Sequence, residues 1–136
     1  MKKLDAALHQ NKIEWALLSL RIGVFIVMAV WTLDKFINPA HSAKVFEKFY
    51  LIPGMEHSAL YAVGAVQALF VLAFVAGYKK RLSYGGVFLM HGISTLASWQ
   101  AYLGMKMLFF AAWPMLAACF ALYILRDLDT KFTLEK

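Results

Sequence analysis

The stretch WALLSLRIGVFIVMAVWTL, residues 15–33, decides the fold of this chain, and one charged residue, Arg21, interrupts it. A helix needs roughly 20 apolar residues, rising 1.5 Å each, to cross a hydrocarbon core of about 30 Å. Similar apolar stretches follow at 59–78, 83–103 and 107–125. Because a bilayer offers no water to exposed backbone groups, such stretches cross it as helices. The sequence therefore predicts an all-α, integral membrane four-helix bundle.

The composition agrees with a chain that lies mostly within a membrane. Hydrophobic residues make up 62% of the chain and charged residues 16%, and the mean hydropathy is +0.62. That leaves too little polar surface to solvate a globule of this size. The net charge of +6 comes from basic residues that lie between the apolar stretches, and not along one soluble face. We therefore predict a single membrane domain, residues 1–136, with the lipid bilayer and not a nucleic acid as its partner.

Lysine and arginine predict the orientation of this domain, since they favour the cytoplasmic side of short loops. Nine of them fall on the side of the two termini and four on the other, with Arg21 completing the total of 14. The nine are Lys2, Lys3, Lys12, Lys79, Lys80, Arg81, Arg126, Lys131 and Lys136, and the four are Lys35, Lys44, Lys48 and Lys106. The pattern predicts that both termini lie in the cytoplasm, and we expect a multi-pass protein of the bacterial inner (plasma) membrane.

The first connection between apolar stretches is the only long one, and it carries its own helix pattern. Asn38-Pro39 is typical of a helix start, and Val45, Phe46 and Phe49 then recur at helical spacing among charged residues. Pro53 and the glycine after it favour a turn. We predict a short amphipathic helix in this first outer loop.

Polar side chains within apolar spans are costly and usually face the bundle interior or a cavity. The third stretch carries four of them on one helix face, and the first two stretches carry one each that could meet them. The candidate ligand-binding cluster is therefore Arg21, Gln67, His91, Ser94, Thr95 and Ser98. Two other interpretations stay open. Arg21 could extend to the headgroups, and the serine and threonine side chains could bond neighbouring helices, with nearby glycines permitting close approach.

Other chemistries lack the residues they need. Cys119 is the only cysteine, so no disulfide can form within the chain, and a small buried residue is the simpler interpretation. His91 is the only histidine within an apolar stretch, which does not suit a haem held by two histidines. No metal-binding spacing is present, so we predict no metal site and no intrinsic cofactor. Pro114 predicts a kink in the fourth stretch.

Two segments resemble the DoxX family of four-span membrane proteins. They are LRIGVFIVMAVWTLDKFINPAHSAKVFEKFYLIPG, residues 20–54, and GAVQALFVLAFVAGYKKRLSYGG, residues 64–86. The matching positions include Arg21 opening the first span, Lys35 closing it and Pro53 ahead of the second. The family often has a glutamate in the second span where this chain has Gln67.

The resemblance implies a membrane subunit of a quinone- or thiol-linked redox system, with a soluble oxidoreductase or another membrane subunit as partner. A bound quinone would need a crevice with an aromatic wall and a few polar groups for its oxygens. Trp31, Trp99 and Trp113 are the candidates for that wall, although tryptophans near span ends also serve as interface anchors. The sequence identifies no catalytic residue, and homo-oligomerisation is open. The alternatives are a non-catalytic membrane adaptor or assembly factor and, less favoured, a small-molecule transporter.

Overall fold

The first apolar stretch lies within the longest helix of the protein. The computed structural model describes residues 1–135, and helix α1 there spans Lys2–Ile37. No proline or glycine occurs before Gly23, so the helix continues through the polar N-terminal residues. At 36 residues α1 is about 54 Å long, which exceeds the thickness of a hydrocarbon core.

The remaining elements are helical as well. They are α2 (Pro39–Phe49), α3 (His57–Val75), α4 (Lys80–Ala97), α5 (Trp99–Leu103) and α6 (Ala112–Ile124), with 3₁₀ turns at Met107–Ala111 and Arg126–Leu128. The short helix expected in the first connection is confirmed as α2, with Pro39 in its first turn. The all-α fold class is likewise confirmed for residues 1–135.

Three helical segments of the described chain are long and apolar enough to cross a membrane: Lys2–Ile37, His57–Val75 and Met107–Ile124. They suit a multi-pass membrane protein. The predicted stretch 83–103 is instead divided, because α4 ends at Ala97 and α5 begins at Trp99. Polar side chains hold the break, since Ser98 Oγ donates to the Ser94 carbonyl (2.9 Å) and Tyr102 Oη to the Thr95 carbonyl (2.7 Å). A fourth span therefore stays a prediction.

The four long helices form a ring. α1 packs against α3 and α6, α4 packs against the same two helices, and α2 lies across α1 and α3. The buried core is concentrated toward the end of the ring that carries both chain termini. It comprises Leu17, Val24, Met28, Val71, Phe74, Tyr84, Val87, Cys119 and Leu122. The burial predicted for Cys119 is confirmed.

Two local features follow from glycine and proline. A Cβ at Gly86 would lie 2.4 Å from the Phe70 ring, so glycine permits the close approach of α3 and α4 there. Pro114 lies in the first turn of α6, where its missing N–H has no helical partner to lose. The helix changes from 3₁₀ to α form at Ala111–Ala112, just before this proline, and the kink itself stays a prediction.

Candidate functional site

A cavity of about 970 Å³ lies among α1, α2, α3, α4 and the segment 108–118. Its lining comes from the C-terminal halves of α1 and α4 and the N-terminal half of α3, so it occupies the end of the ring opposite the termini. The volume falls in the upper part of the range for small-molecule sites. Exposed Ser19 and Gly23 of α1 belong to the lining, so the cavity also opens through the side of the bundle.

Five of the residues predicted for a ligand site line this cavity. Gln67, His91, Ser94 and Ser98 supply polar atoms, and Trp31 supplies an aromatic wall. The rest of the lining is largely apolar, with methionine, valine and phenylalanine side chains among it. A mostly apolar cavity with a few converging polar groups is the usual form of a small-molecule site.

His91 is the most constrained of the polar groups. It is 1% exposed, and its ring stacks on Trp31 with centroids 5.7 Å apart and an interplanar angle of 28°. Its Nε2 lies 2.9 Å from the Ala112 carbonyl oxygen and 3.3 Å from Thr95 Oγ1. Its Nδ1 is buried and has no hydrogen-bond partner among the described residues.

These contacts determine where the proton of a neutral His91 lies. The Ala112 carbonyl can only accept, so Nε2 must donate to it. Thr95 uses its hydroxyl proton on the His91 carbonyl (2.7 Å), and its oxygen can therefore only accept from Nε2. Nδ1 is left as an acceptor with an unused lone pair. Thr95 itself lies behind the ring and outside the cavity lining, in a positioning role.

The outer mouth of the cavity is formed where α2 folds back on α1. Asp34 Oδ2 accepts a hydrogen bond from Ser42 Oγ (2.8 Å) and lies 2.7 Å from His41 Nδ1. Ser42 is 4% exposed, so this contact is an internal anchor of α2. Lys35 lies beside them in the lining and donates to the Trp31 carbonyl (3.4 Å).

Arg21 does not join the cavity, contrary to the predicted cluster. Its guanidinium lies at the opposite end of the bundle, where Nη1 is 2.6 Å from Asp129 Oδ1 and Nη2 donates to the Lys131 carbonyl (2.6 Å). The side chains of Arg21 and Asp129 are 1% and 0% exposed. A buried charge needs a counter-charge, and the C-terminal segment provides it. The ion pair with Asp129 explains how the charge of Arg21 is accommodated, so its side chain does not need to extend to the lipid headgroups.

Two residues of α4 complete this group, which we call the tail cluster: Arg21, Lys80, Tyr84 and Asp129. Tyr84 Oη donates to Asp129 Oδ2 (2.6 Å), and Lys80 Nζ donates to the Asp129 carbonyl (2.6 Å). All four residues are at most 3% exposed. The tail cluster therefore ties the C-terminal segment to both α1 and α4.

The last described residues extend this attachment to α3. The backbone N–H groups of Leu134 and Glu135 donate to the carbonyls of Ala76 and Gly77 (2.8 and 3.0 Å). Gly77 has φ +63°, and a Cβ there would lie 2.4 Å from the Thr133 side chain. The bundle is thus sealed by its own tail at one end and holds the cavity at the other.

The two remaining aromatic candidates lie outside the cavity lining. Trp113 packs on Tyr102, with ring centroids 5.7 Å apart, and Trp99 is 53% exposed. Their positions at the start of α6 and at the helix break suit the alternative interpretation as interface residues.

Sequence reasoning missed the tail cluster and the mouth of the cavity. No local pattern marks Asp129 as the partner of Arg21, although a buried arginine in α1 requires an acidic partner somewhere in the chain. Asp34 follows the first apolar stretch and His41 lies in the first connection, where polar residues are usually solvated. The sequence feature that indicates the contact between these two residues is Pro39, because it starts α2 so soon after α1 that the two helices must pack against each other.

Within residues 1–135, no group of three or more His, Cys, Asp or Glu side chains is arranged to hold a metal ion. None of the family models, curated proteins or solved structures compared with the chain matches it.

Proposed function

We propose that the protein is a four-span, DoxX-like protein of the bacterial inner membrane that binds a quinone-class molecule as the membrane subunit of a redox system. The observation that carries this proposal is the cavity of about 970 Å³, which combines an apolar lining with Gln67, His91, Ser94 and Ser98. A quinone head group is a flat, mostly apolar ring with two oxygens, and it suits such a lining.

The packing of α4 supports the fourth span. α4 lies between α3 and α6 in the ring, and both of those neighbours belong to segments apolar enough to cross a membrane. Its polar residues His91 and Thr95 are buried, whereas Leu89, Ile93 and Leu96 are more than half exposed. An apolar outer face and a polar inner face are what a bundle needs in lipid, even where the mean hydropathy of the helix is modest.

The distribution of basic residues supports both termini in the cytoplasm. Lys79, in the connection between α3 and α4, is followed by Lys80 and Arg81, which begin α4. These three residues lie at the same end as the C-terminal segment, as the contact between Lys80 and Asp129 requires. In the proposed orientation, the tail cluster faces the cytoplasm and the cavity lies toward the opposite side of the membrane.

The opening beside Ser19 and Gly23 supports a ligand that arrives from the bilayer. In the proposed orientation this opening lies in the membrane-embedded part of α1, so an apolar molecule dissolved in lipid reaches the cavity without crossing water. A ligand that enters from the aqueous phase would not require an opening at that depth.

In this proposal the chain binds and orients the ring, and electrons pass between the ring and a partner protein. Trp31 and the apolar lining hold the ring, and Gln67, Ser94 and Ser98 supply polar atoms for its oxygens. Cys119 is buried and is the only cysteine, so any thiol chemistry belongs to the partner. Purification of the tagged protein from its native membrane in mild detergent should recover a stoichiometric oxidoreductase. A partner without redox character would favour the adaptor or assembly role.

Ligand binding is tested with a decyl-substituted benzoquinone and protein reconstituted in nanodiscs, with protein-free nanodiscs as the partition control. Gly23→Phe places a ring at the rim of the cavity, where the first side-chain atom, Cβ, meets no atom within 4 Å. Ile26→Phe makes a similar change on the exposed face of α1, where Ile26 is 57% exposed. Binding should be lost in Gly23→Phe and retained in Ile26→Phe. Equal binding by the two variants, or none by the wild type, would refute the proposed site.

A further inference from the structure

The cavity has a polar end and an apolar end, and its side opening lies at the apolar one. We propose that the ligand is a lipid quinone whose ring lies at the polar end, beside α2, and whose long hydrocarbon chain leaves the bundle through the crevice between α1 and α6. The inference rests on the proposed function and specifies the class of ligand and its orientation in the same cavity.

The stacked rings of Trp31 and His91 mark one level of the cavity on α1 and α4. The contact of His91 Nε2 with the Ala112 carbonyl (2.9 Å) extends this level to the start of α6. α1 and α4 run in the same direction, because Arg21 meets Tyr84 near the tail and Trp31 meets His91 farther along both helices. Depth in the cavity can therefore be measured along α1 from Trp31.

With one exception, the polar side chains of the lining lie at the level of this stacked pair or beyond it, toward α2. Lys35 lies one turn beyond the pair on α1, and Ser94 and Ser98 lie one and two turns beyond it on α4. On α3, Gly64 packs beside Lys35, and Gln67 lies one turn closer to the level of the pair. The oxygens of a quinone ring therefore find hydroxyl, amide and ammonium groups at this end.

The lining on the other side of the stacked pair, toward the tail cluster, carries apolar or small side chains. Val24 and Met28 line it from α1, and Gly23 and Ser19 lie about 12 and 18 Å from Trp31 at 1.5 Å for each residue. Ser19 is the polar exception, and a serine in a helix can bond a carbonyl of its own preceding turn. This end suits a hydrocarbon chain better than a polar head group.

The opening at Gly23 faces α6. The Phe36 ring lies against Gly64 of α3, and Gly23 is about 140° around α1 from Phe36 at 3.6 residues per turn. The neighbours of α1 in the ring of helices are α3 and α6, so Gly23 lies on the flank beside α6. Ala118 lines the same part of the cavity from α6, and a Cβ at Gly23 meets no atom within 4 Å. The small side chains at Gly23 and Ala118 thus leave room for a chain between the helices.

The length of this passage matches a hydrocarbon chain. An extended ten-carbon chain spans about 12 Å, from carbon–carbon bonds of about 1.5 Å, so it reaches from the level of Trp31 to Gly23. A longer isoprenoid chain continues from there into the bilayer. Because lipid tails solvate such a chain as well as the crevice does, the chain orients the ligand and adds little affinity. The position of the chain is therefore the decisive observable.

The position is measured with two photoactivatable probes and wild-type protein in nanodiscs. The tail probe is a trimethylbenzoquinone whose decyl chain ends in a diazirine, and the head probe is a decyl-benzoquinone with an azide on its ring. Mass spectrometry should find the tail probe on residues 19–27 or 115–118 and the head probe on Trp31 or residues 94–98. An excess of unmodified decyl-trimethylbenzoquinone should displace both. Labelling of exposed Leu69 and Leu72 on α3 reports probe dissolved in lipid and should not be displaced.

A variant tests whether the chain, and not the ring, passes Gly23. Gly23→Phe should weaken binding of decyl-trimethylbenzoquinone roughly tenfold or more, as overpacking of a filled site does. Tetramethylbenzoquinone has the same ring without the chain, and its affinity should stay within about threefold of the wild-type value. Ile26→Phe, on the exposed face of α1, is the matched control and should bind both quinones as the wild type does.

The outcomes separate the inference from the proposed function. Displaceable labelling at the two expected positions, with a loss in Gly23→Phe that depends on the chain, supports the inference. Exchanged positions, with the tail probe on α2 and the head probe on residues 19–27, overturn the inference and leave the quinone site standing. Equal weakening of both quinones in a Gly23→Phe protein with wild-type thermal stability has the same meaning. Unchanged binding of both quinones in Gly23→Phe, or no displaceable labelling by either probe, overturns the proposed function together with the inference.

Discussion

The substitution Asp129→Asn removes the counter-charge of Arg21 with almost no change in side-chain volume. In the wild type, the Asp129 carboxylate accepts from Arg21 Nη1 and from Tyr84 Oη, both at 2.6 Å. Asp129 is completely buried and Arg21 is 1% exposed, so water does not replace the lost charge. Breaking one side of a buried ion pair costs about 3–5 kcal/mol. That is a large share of a typical stability of about 5–15 kcal/mol.

The assay is equilibrium unfolding in a mild detergent, combined with limited trypsin cleavage after Arg126 and Lys131. Asp129→Asn should lower the free energy of unfolding by about 3 kcal/mol or more, and it should expose the tail to trypsin before the bundle unfolds. Asp127→Asn changes an exposed acid two residues away and should stay within about 0.5 kcal/mol of the wild type. A difference between the two variants below about 1 kcal/mol would refute the reasoning, because surface ion pairs are worth no more than that.

A double variant distinguishes the stability that comes from the charges of the ion pair from the stability that comes from the packing of its side chains. Arg21→Met leaves the Asp129 carboxylate buried with Tyr84 and without its main charge partner, and Asp129→Leu leaves the arginine alone. Combining them replaces the pair with apolar groups of similar size, which often restores stability. The two losses should therefore be less than additive by about 2 kcal/mol, and strict additivity would contradict direct contact.

The other predictions concern backbone and anchoring positions. Gly77→Ala should destabilise the protein by about 2 kcal/mol, since it combines the cost of a left-handed alanine with an overlap with Thr133. Gly23→Ala, whose new Cβ meets no atom within 4 Å, should stabilise the protein by about 0.5–1 kcal/mol. Thermal unfolding compares the two variants, and equal effects would contradict the contact between Gly77 and the tail. Ser42→Ala should cost about 1 kcal/mol through loss of the bond to the α1 carboxylate. The exposed Ser58→Ala should cost much less in the same measurement, and a similar cost at both serines would contradict anchoring of α2.

The helices were predictable because each apolar stretch is continuous and the periodicity of α2 follows a proline start. The polar stripe on α4 was predictable in the same way, since His91, Ser94 and Ser98 recur at helical spacing and reach one cavity. What periodicity could not predict was the end of α4. Ser98 and Tyr102 bond to carbonyls of the preceding turn, and their competition with the helix depends on side-chain geometry.

The division of the polar residues into two sites was also beyond the sequence. Arg21 and His91 both lie within apolar stretches, so the sequence is compatible with one cluster that contains both. Arg21 instead pairs with Asp129, which is distant from it along the chain and meets it only after the tail folds back. Long-range pairing of this kind follows from the path of the chain, and a single sequence contains no local signal for it.

The most direct test of the account is the amount of quinone that accompanies the protein from its native membrane. The tagged wild type and Gly23→Phe would be purified in the same mild detergent, their lipids extracted, and isoprenoid quinone quantified per protein by mass spectrometry, with Ile26→Phe as control. We predict retained quinone in the wild type and in Ile26→Phe, and only the background of bulk lipid in Gly23→Phe. Equal quinone in all three preparations would contradict this prediction.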